Sequence, residues 1–239
     1  MKNLNIPKYF LVIFFLMQAV FWFFSNRIKP TFIITPYPPT QTEIEALSFG
    51  DKQFFYRKLA FNLQNAGDKF GHYTNFAQHD YYKLRRWFEA LDNIDTKSQY
   101  IPYMAAYYYS IVKDTERSKI IAEYITNYAK KDPQQHWRLL TTAAYIYYKE
   151  VGKSNKEIEE IGEILLKQNI PTWAKALAAF YLEDSGDICN AYKLIIKISQ
   201  DEILTEKANT EDQFLINILT ENINKLQNVN KNELIKCHF

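Results

Sequence analysis

Tyr103-Met104-Ala105-Ala106-Tyr107-Tyr108-Tyr109 has two echoes downstream. One is Thr142-Ala143-Ala144-Tyr145-Ile146-Tyr147 and the other is Leu177-Ala178-Ala179-Phe180-Tyr181-Leu182. The Ala-Ala-aromatic core recurs 38 and then 35 residues on, from Ala105 to Ala143 to Ala178. Self-similarity at a period of about 20–50 residues is the mark of stacked helical units, none of which buries its own apolar face alone. Small residues let the two helices of a unit approach closely, and the aromatics fill the gap to the next unit.

Each echo sits in a helix-turn-helix pattern. Pro102 opens a helix predicted to run to about Val112, Lys113-Asp114 turns the chain, and Ile120, Ile121, Tyr124, Ile125 and Tyr128 form the stripe of its partner. In the second unit Pro133 precedes Trp137-Arg138-Leu139-Leu140. There Gly152-Lys153-Ser154 separates the helix from a partner carrying Ile158, Ile161 and Leu165. In the third, Pro171 precedes Trp173, Ser185-Gly186-Asp187 makes the turn, and Ala191, Leu194, Ile195 and Ile198 mark the partner.

Residues 43–98 carry a less regular helical pair with an inserted loop at 67–80. Its first helix spans 51–66, with Asp51 as cap and Gly67 suited to a left-handed end. The second runs from about Asp80 to Asn93, its stripe formed by Tyr81, Leu84, Trp87, Phe88 and Leu91. Residues 201–239 are expected to hold a capping helix, roughly Thr210 to Gln227, and a tail; helical arrays need such a cover at the open end.

These features resemble the tetratricopeptide family over roughly residues 99–200. Trp137 and Trp173 stand where that family starts its first helix, Pro133 and Pro171 stand at repeat junctions, and Gly186-Asp187 is a familiar turn. The spacing drifts between 35 and 38, and the second unit lacks the usual small residue and aromatic in its second helix. The resemblance implies an all-α fold of antiparallel helix-pair repeats, an α-solenoid. It also implies a role in holding another protein without a cofactor.

Before this body, Tyr9 to Phe24 reads YFLVIFFLMQAVFWFF, with Gln18 its one strongly polar residue and no charge. Sixteen helical residues span about 24 Å, slightly less than a hydrocarbon core of about 30 Å. Lys8, Arg27 and Lys29 can reach the headgroups, and Tyr9 and Trp22 suit the interface. The run ends in Phe21-Trp22-Phe23-Phe24-Ser25, too bulky for signal cleavage. Residues 1–27 are therefore read as an uncleaved signal anchor, a single transmembrane helix that leaves the domain outside the cytoplasm. Residues 28–42, with Pro30, Pro36, Pro38 and Pro39, read as a semi-rigid polyproline spacer between anchor and domain.

Composition agrees with one helical domain. The 239-residue chain is 47% hydrophobic and 16% aromatic, enough for a large core. Six glycines and eight prolines are too few for a hairpin-rich β fold. A formal net charge of +2 leaves no electrostatic footprint for nucleic acid. Cys189 and Cys237 form no zinc-ligand spacing; two unrelated thiols are the preferred reading, with a bridge as the rival.

No phosphate loop, HExxH helix, dinucleotide fingerprint or nucleophile elbow occurs, so an enzyme is the less favoured class. The chemistry-bearing loop is Gln64-Asn65-Ala66-Gly67-Asp68 through Gly71-His72 to His79-Asp80. Gln64, Asn65, Asp68, His72, His79 and Asp80 are its candidates. His72, His79 and Asp80 could serve a divalent metal or proton transfer, against the plainer reading of turns and caps. The other candidates are aromatic. Tyr107, Tyr108, Tyr109, Tyr145, Tyr147 and Tyr148 cannot all face a core, because successive helical positions diverge by about 100°. With Arg138 they are the expected contacts to a protein partner, since Tyr and Arg are enriched at interaction hot spots. The reading is a membrane-tethered scaffold at the cell envelope; the alternatives are an envelope enzyme or a small-ligand receptor.

Overall fold

The computed structural model describes residues 8–27, 33–68, 73–152, 155–204, 217–218 and 221. Its described residues are helical, with ten α-helices and no strand. The chain divides into two units, Met1–Ile33 and Ile34–Phe239. The expected capping helix at 210–227 lies almost wholly outside the described residues.

The first unit holds helix α1, Lys8–Ser25. Its large apolar side chains are exposed on every side, and the Arg27 guanidinium lies 4.4 Å from the Phe23 ring centroid. Among the described residues no helix is long and apolar enough to cross a membrane.

The second unit opens with a segment docked onto the body, not with a free spacer. Thr35 is buried; its Oγ1 lies 3.2 Å from His79 Nδ1 and accepts the Asp80 amide N–H at 3.3 Å. The indole N–H of Trp87 donates to the Pro36 carbonyl at 2.8 Å. The Tyr37 ring lies 4.7 Å from the Lys83 ammonium. The expectation of a polyproline spacer is thus corrected over 34–40. A buried tryptophan needs an acceptor for its N–H, and an extended proline-bearing segment outside any helix offers free carbonyls. Thr40 and Glu43 then form a reciprocal capping box that starts α2, Gln41–Leu47.

Aspartates begin several of the helices that follow. Asp51 accepts the Phe54 amide at the start of α3, Lys52–Gln64, and Asp80 that of Lys83 at the start of α4, Tyr81–Ile94. Asp114 does the same for α6, Thr115–Ala129, and Asp132 for α7, Pro133–Ile146. Each cap satisfies an amide that the helix leaves unpaired and is typically worth about 1 kcal/mol. Between α4 and α6 lies α5, Tyr100–Tyr107. It ends five residues before the expected Val112 and passes into a 3₁₀ turn, Tyr109–Ile111. Two buried tyrosines hold that turn. Tyr81 donates to the Tyr109 carbonyl at 3.0 Å, and Tyr109 reaches across to the Leu63 carbonyl at 3.2 Å. After α7 a π turn, Tyr147–Val151, leads to α8 (Asn155–Leu166), α9 (Thr172–Asp184) and α10 (Ile188–Leu204).

Helices pack on their sequence neighbours and on the next but one: α4 on α6, α5 on α7, α7 on α9 and α8 on α10. A continuous core runs from Tyr56 to Ile198 and includes Ala105, Ala106, Ala143, Ala144, Ala178 and Ala179, all buried. Small size matters most where α8 meets α9 and α10. A β-carbon added to Gly162 would lie 3.0 Å from Ala178 Cβ and 2.7 Å from Leu194 Cδ1. Side-chain bonds between successive helix pairs span 30 to 38 residues, from Lys130–Glu160 to Arg85–Glu123. Tyr82 bonds Glu116, Gln134 bonds the backbone of Asn169, Tyr148 bonds Asp184 and Lys193 bonds Glu159, at 34, 35, 36 and 34 residues. In α10, Cys189 is disulfide-bonded, which corrects the reading of two unrelated thiols; the chain's other cysteine, Cys237, lies outside the described residues.

Candidate functional site

The described residues of the 64–80 loop are built into the fold. Asn65 closes α3 by donating its side-chain N–H to the Phe61 carbonyl at 2.8 Å, and Gln64 accepts the Tyr100 hydroxyl. Asp68 accepts the Thr74 amide at 3.0 Å. Gly67 has φ +93°, and the Thr74 side chain closes over it, leaving no space for a β-carbon. His79 is buried against Phe76 and Tyr109 with Nδ1 on Thr35, and burial holds its pKa below the ordinary value. Asp80 caps α4 and pairs with Lys83 at 3.5 Å. His72 lies outside the described residues. Among the described residues no group of three or more His, Cys, Asp or Glu is placed to hold a metal ion.

The aromatic candidates separate into two sets. Tyr109 and Tyr147 are core residues, 2% and 3% exposed, and are corrected as partner contacts: burial drives both phenols to higher pKa, that of Tyr147 to about 12. Tyr107, Tyr108 and Tyr145 are about half exposed, while Tyr148 stacks flat on Tyr181 at 4.9 Å and donates to Asp184. Arg138 is exposed, its guanidinium 4.4 Å from the Trp137 ring centroid, and Trp137 meets Trp173 edge-on at 5.5 Å. Tyr145 approaches Tyr181 at 6.2 Å. Aromatic side chains from α7 thus reach equivalents 36 residues later on α9, leaving Trp173 and Tyr145 half exposed.

A second feature was not singled out in the sequence. Two hollows, of about 360 and 480 Å³, lie along α4, α6 and the start of α7 and share Asp92, Asn93, Tyr128 and Lys131 as walls. Asp92 is 7% exposed. Its Oδ2 accepts the Tyr124 hydroxyl at 2.9 Å, while Oδ1 has no partner. Burial raises its pKa to about 7, opposed by the Tyr124 bond and the Lys131 charge and reinforced by Glu89. His136 lines the same groove, 8% exposed, packed on the Tyr128 ring at 5.0 Å with Nδ1 unpartnered. Its backbone leaves helical geometry, at φ −107° and ψ 20°, in the first turn of α7. Burial lowers its pKa, opposed by the Asp132 charge.

Sequence reasoning missed this groove, although one signal was present. Asp92 follows Leu91 and stands four residues after Phe88, on the buried stripe of α4, where an acid has no solvent to stabilise its charge. His136 sits just before Trp137 and gave no comparable sign.

Compared with protein-family models, with curated proteins and with solved structures, the chain finds no match.

Proposed function

We propose that this chain is a membrane-anchored helical-repeat scaffold that holds a partner protein on the face carrying the exposed aromatics of α5, α7 and α9. The observation that carries the reading is the half-exposed set Tyr107, Tyr108, Tyr145 and Trp173, with Arg138 laid on Trp137. Large rigid aromatics with a polar tip give much contact area at low entropic cost and are enriched, with Arg, where interfaces are tightest. Four side-chain bonds between helix pairs at 34–36 residues, and the Trp137–Trp173 and Tyr145–Tyr181 ring contacts at 36, support a tetratricopeptide-like stack.

Two further observations support the location. α1 carries no charged residue between Tyr9 and Ser25 and presents apolar side chains all round, as an anchor would to lipid. Cys189 is disulfide-bonded, a state that persists in oxidising compartments and fits a domain outside the cytoplasm.

The test is photo-cross-linking in membranes. A photoreactive residue at Tyr145 should trap a discrete partner, and the same residue at exposed Lys156 should not. The double variant Tyr107→Ala, Tyr145→Ala should abolish co-purification of that partner while leaving the helical circular-dichroism signal intact. Equal trapping from both positions, or retained co-purification, defeats the reading.

A further inference from the structure

The groove beside Asp92 contains two buried polar atoms, on different helices, that the protein itself leaves without a hydrogen bond: Asp92 Oδ1 and His136 Nδ1. An ionised carboxylate can only accept, and a neutral imidazole carries one accepting nitrogen. Leaving a buried acceptor unmet is costly, more so for a charged one. A neutral donor would answer the hydrogen bond at Asp92 but not its charge; an ammonium group answers both.

The rim carries both signs, with exposed Glu89 and Asp132 beside two lysines. Lys97 and Lys131 line the outer walls and are exposed, with the Lys131 ammonium 5.5 Å from the Tyr128 ring centroid. A ligand carrying only positive charge would leave the two lysines unanswered. A ligand with an ammonium at one end and a carboxylate a few atoms away would satisfy the buried acid and the exposed bases together. Hollows of about 360 and 480 Å³ are in the range of small-molecule sites.

We propose that the groove between α4, α6 and the start of α7 binds an amino-acid-type zwitterion, with its ammonium on Asp92 Oδ1 and its carboxylate toward Lys131 and Lys97. His136 Nδ1, acceptor or donor according to the ring tautomer, makes a further hydrogen bond to the ligand. The site is separate from the aromatic face and does not depend on the scaffold reading. Free amino acids and the termini of short peptides present the same chemistry.

Binding also moves a proton. Glu89, Tyr56, Tyr124, Tyr128 and Lys131 surround Asp92, and Lys97, Asp132 and His136 follow along the groove. Asp92 is partly protonated near neutrality, so seating an ammonium on it releases a proton to buffer.

Isothermal titration calorimetry of the full chain tests the proposal, with glycine, L-alanine and L-lysine as free zwitterions, triglycine as the peptide source, and ethylammonium and acetate as single-charge fragments. We expect saturable binding of at least one zwitterion, at least tenfold tighter than either fragment. The heat should depend on the ionisation enthalpy of the buffer at pH 7. Asp92→Asn, which keeps the side chain's shape, should weaken binding at least tenfold. Lys131→Gln, a change at an exposed position, should weaken zwitterions but not ethylammonium, with the helical circular-dichroism signal checked to be that of wild type. Tighter binding of triglycine than of the amino acids assigns the ligand to peptide termini, and the reverse assigns it to free amino acids; either supports the site. No saturable binding of any probe, equal affinity in Asp92→Asn, or ethylammonium binding as tightly as the zwitterions overturns it.

Discussion

Tyr124 donates its hydroxyl proton to Asp92 Oδ2 at 2.9 Å, joining α6 to α4 across a buried contact while the other carboxylate oxygen stays unpaired. The bond stabilises the carboxylate, yet burial prevails and the acid titrates near 7. A folded pKa above the unfolded one means that the native state binds the proton more tightly. Stability is therefore highest below the unfolded value and falls as pH rises from about 4 to about 7. A shift from 3.8 to about 7 sets an upper bound on the order of 4 kcal/mol. Thermal melts of Asp92→Asn should lie above wild type at pH 8, and the gap should close toward pH 4. A constant gap across that range would refute the buried, shifted acid.

Gly162 gives a prediction of unusual sign. Glycine to alanine inside a helix ordinarily gains about 1 kcal/mol. Here the added carbon would press on Ala178 Cβ at 3.0 Å and Leu194 Cδ1 at 2.7 Å. Overpacking of this kind costs about 1–3 kcal/mol. Gly162→Ala should thus lower the denaturation midpoint despite its better helix propensity. A midpoint equal to or above wild type would show that α8 and α9 do not approach so closely.

The docking of residues 34–40 rests on Thr35 and Trp87. Thr35→Val keeps the shape but leaves His79 Nδ1 and the Asp80 amide without their common partner, at a cost of about 1–3 kcal/mol. Trp87→Phe removes the bond to the Pro36 carbonyl. Both variants should make the 34–40 segment more susceptible to limited proteolysis while the helical signal persists. A segment cut as readily in wild type as in the variants would mean that it is not docked.

Cys189 should resist alkylation in denatured, unreduced protein and react fully after reduction. Mass spectrometry of the Cys189 peptide reads this directly. A freely alkylated Cys189 in protein isolated from its native compartment would remove the disulfide and the support it lends to the domain's location.

Much of the helical plan could be read from local chemistry. The Asp51 cap, the i, i+3, i+4 stripe of α4, Pro133 and Pro171 at helix starts and the glycine turn at 186 all act within a few residues, and each stands in the structure where that chemistry puts it. The alanine pairs 105–106, 143–144 and 178–179 lie in the core for the same reason, since a small residue on an apolar helix face admits a neighbouring helix. Tertiary packing decided the rest. Whether Tyr107 or Tyr109 faces solvent depends on Leu63 and Tyr81, 46 and 28 residues from Tyr109. The prolines at 36–39 read as part of a semi-rigid spacer, whereas Trp87, 51 residues after Pro36, supplies a donor to that segment. Asp92 becomes a buried acid where α6 packs on α4 and brings Tyr124 against it. Helix formation follows from side chains one turn apart, whereas burial and unmet hydrogen bonds are properties of surfaces brought together from distant parts of the chain.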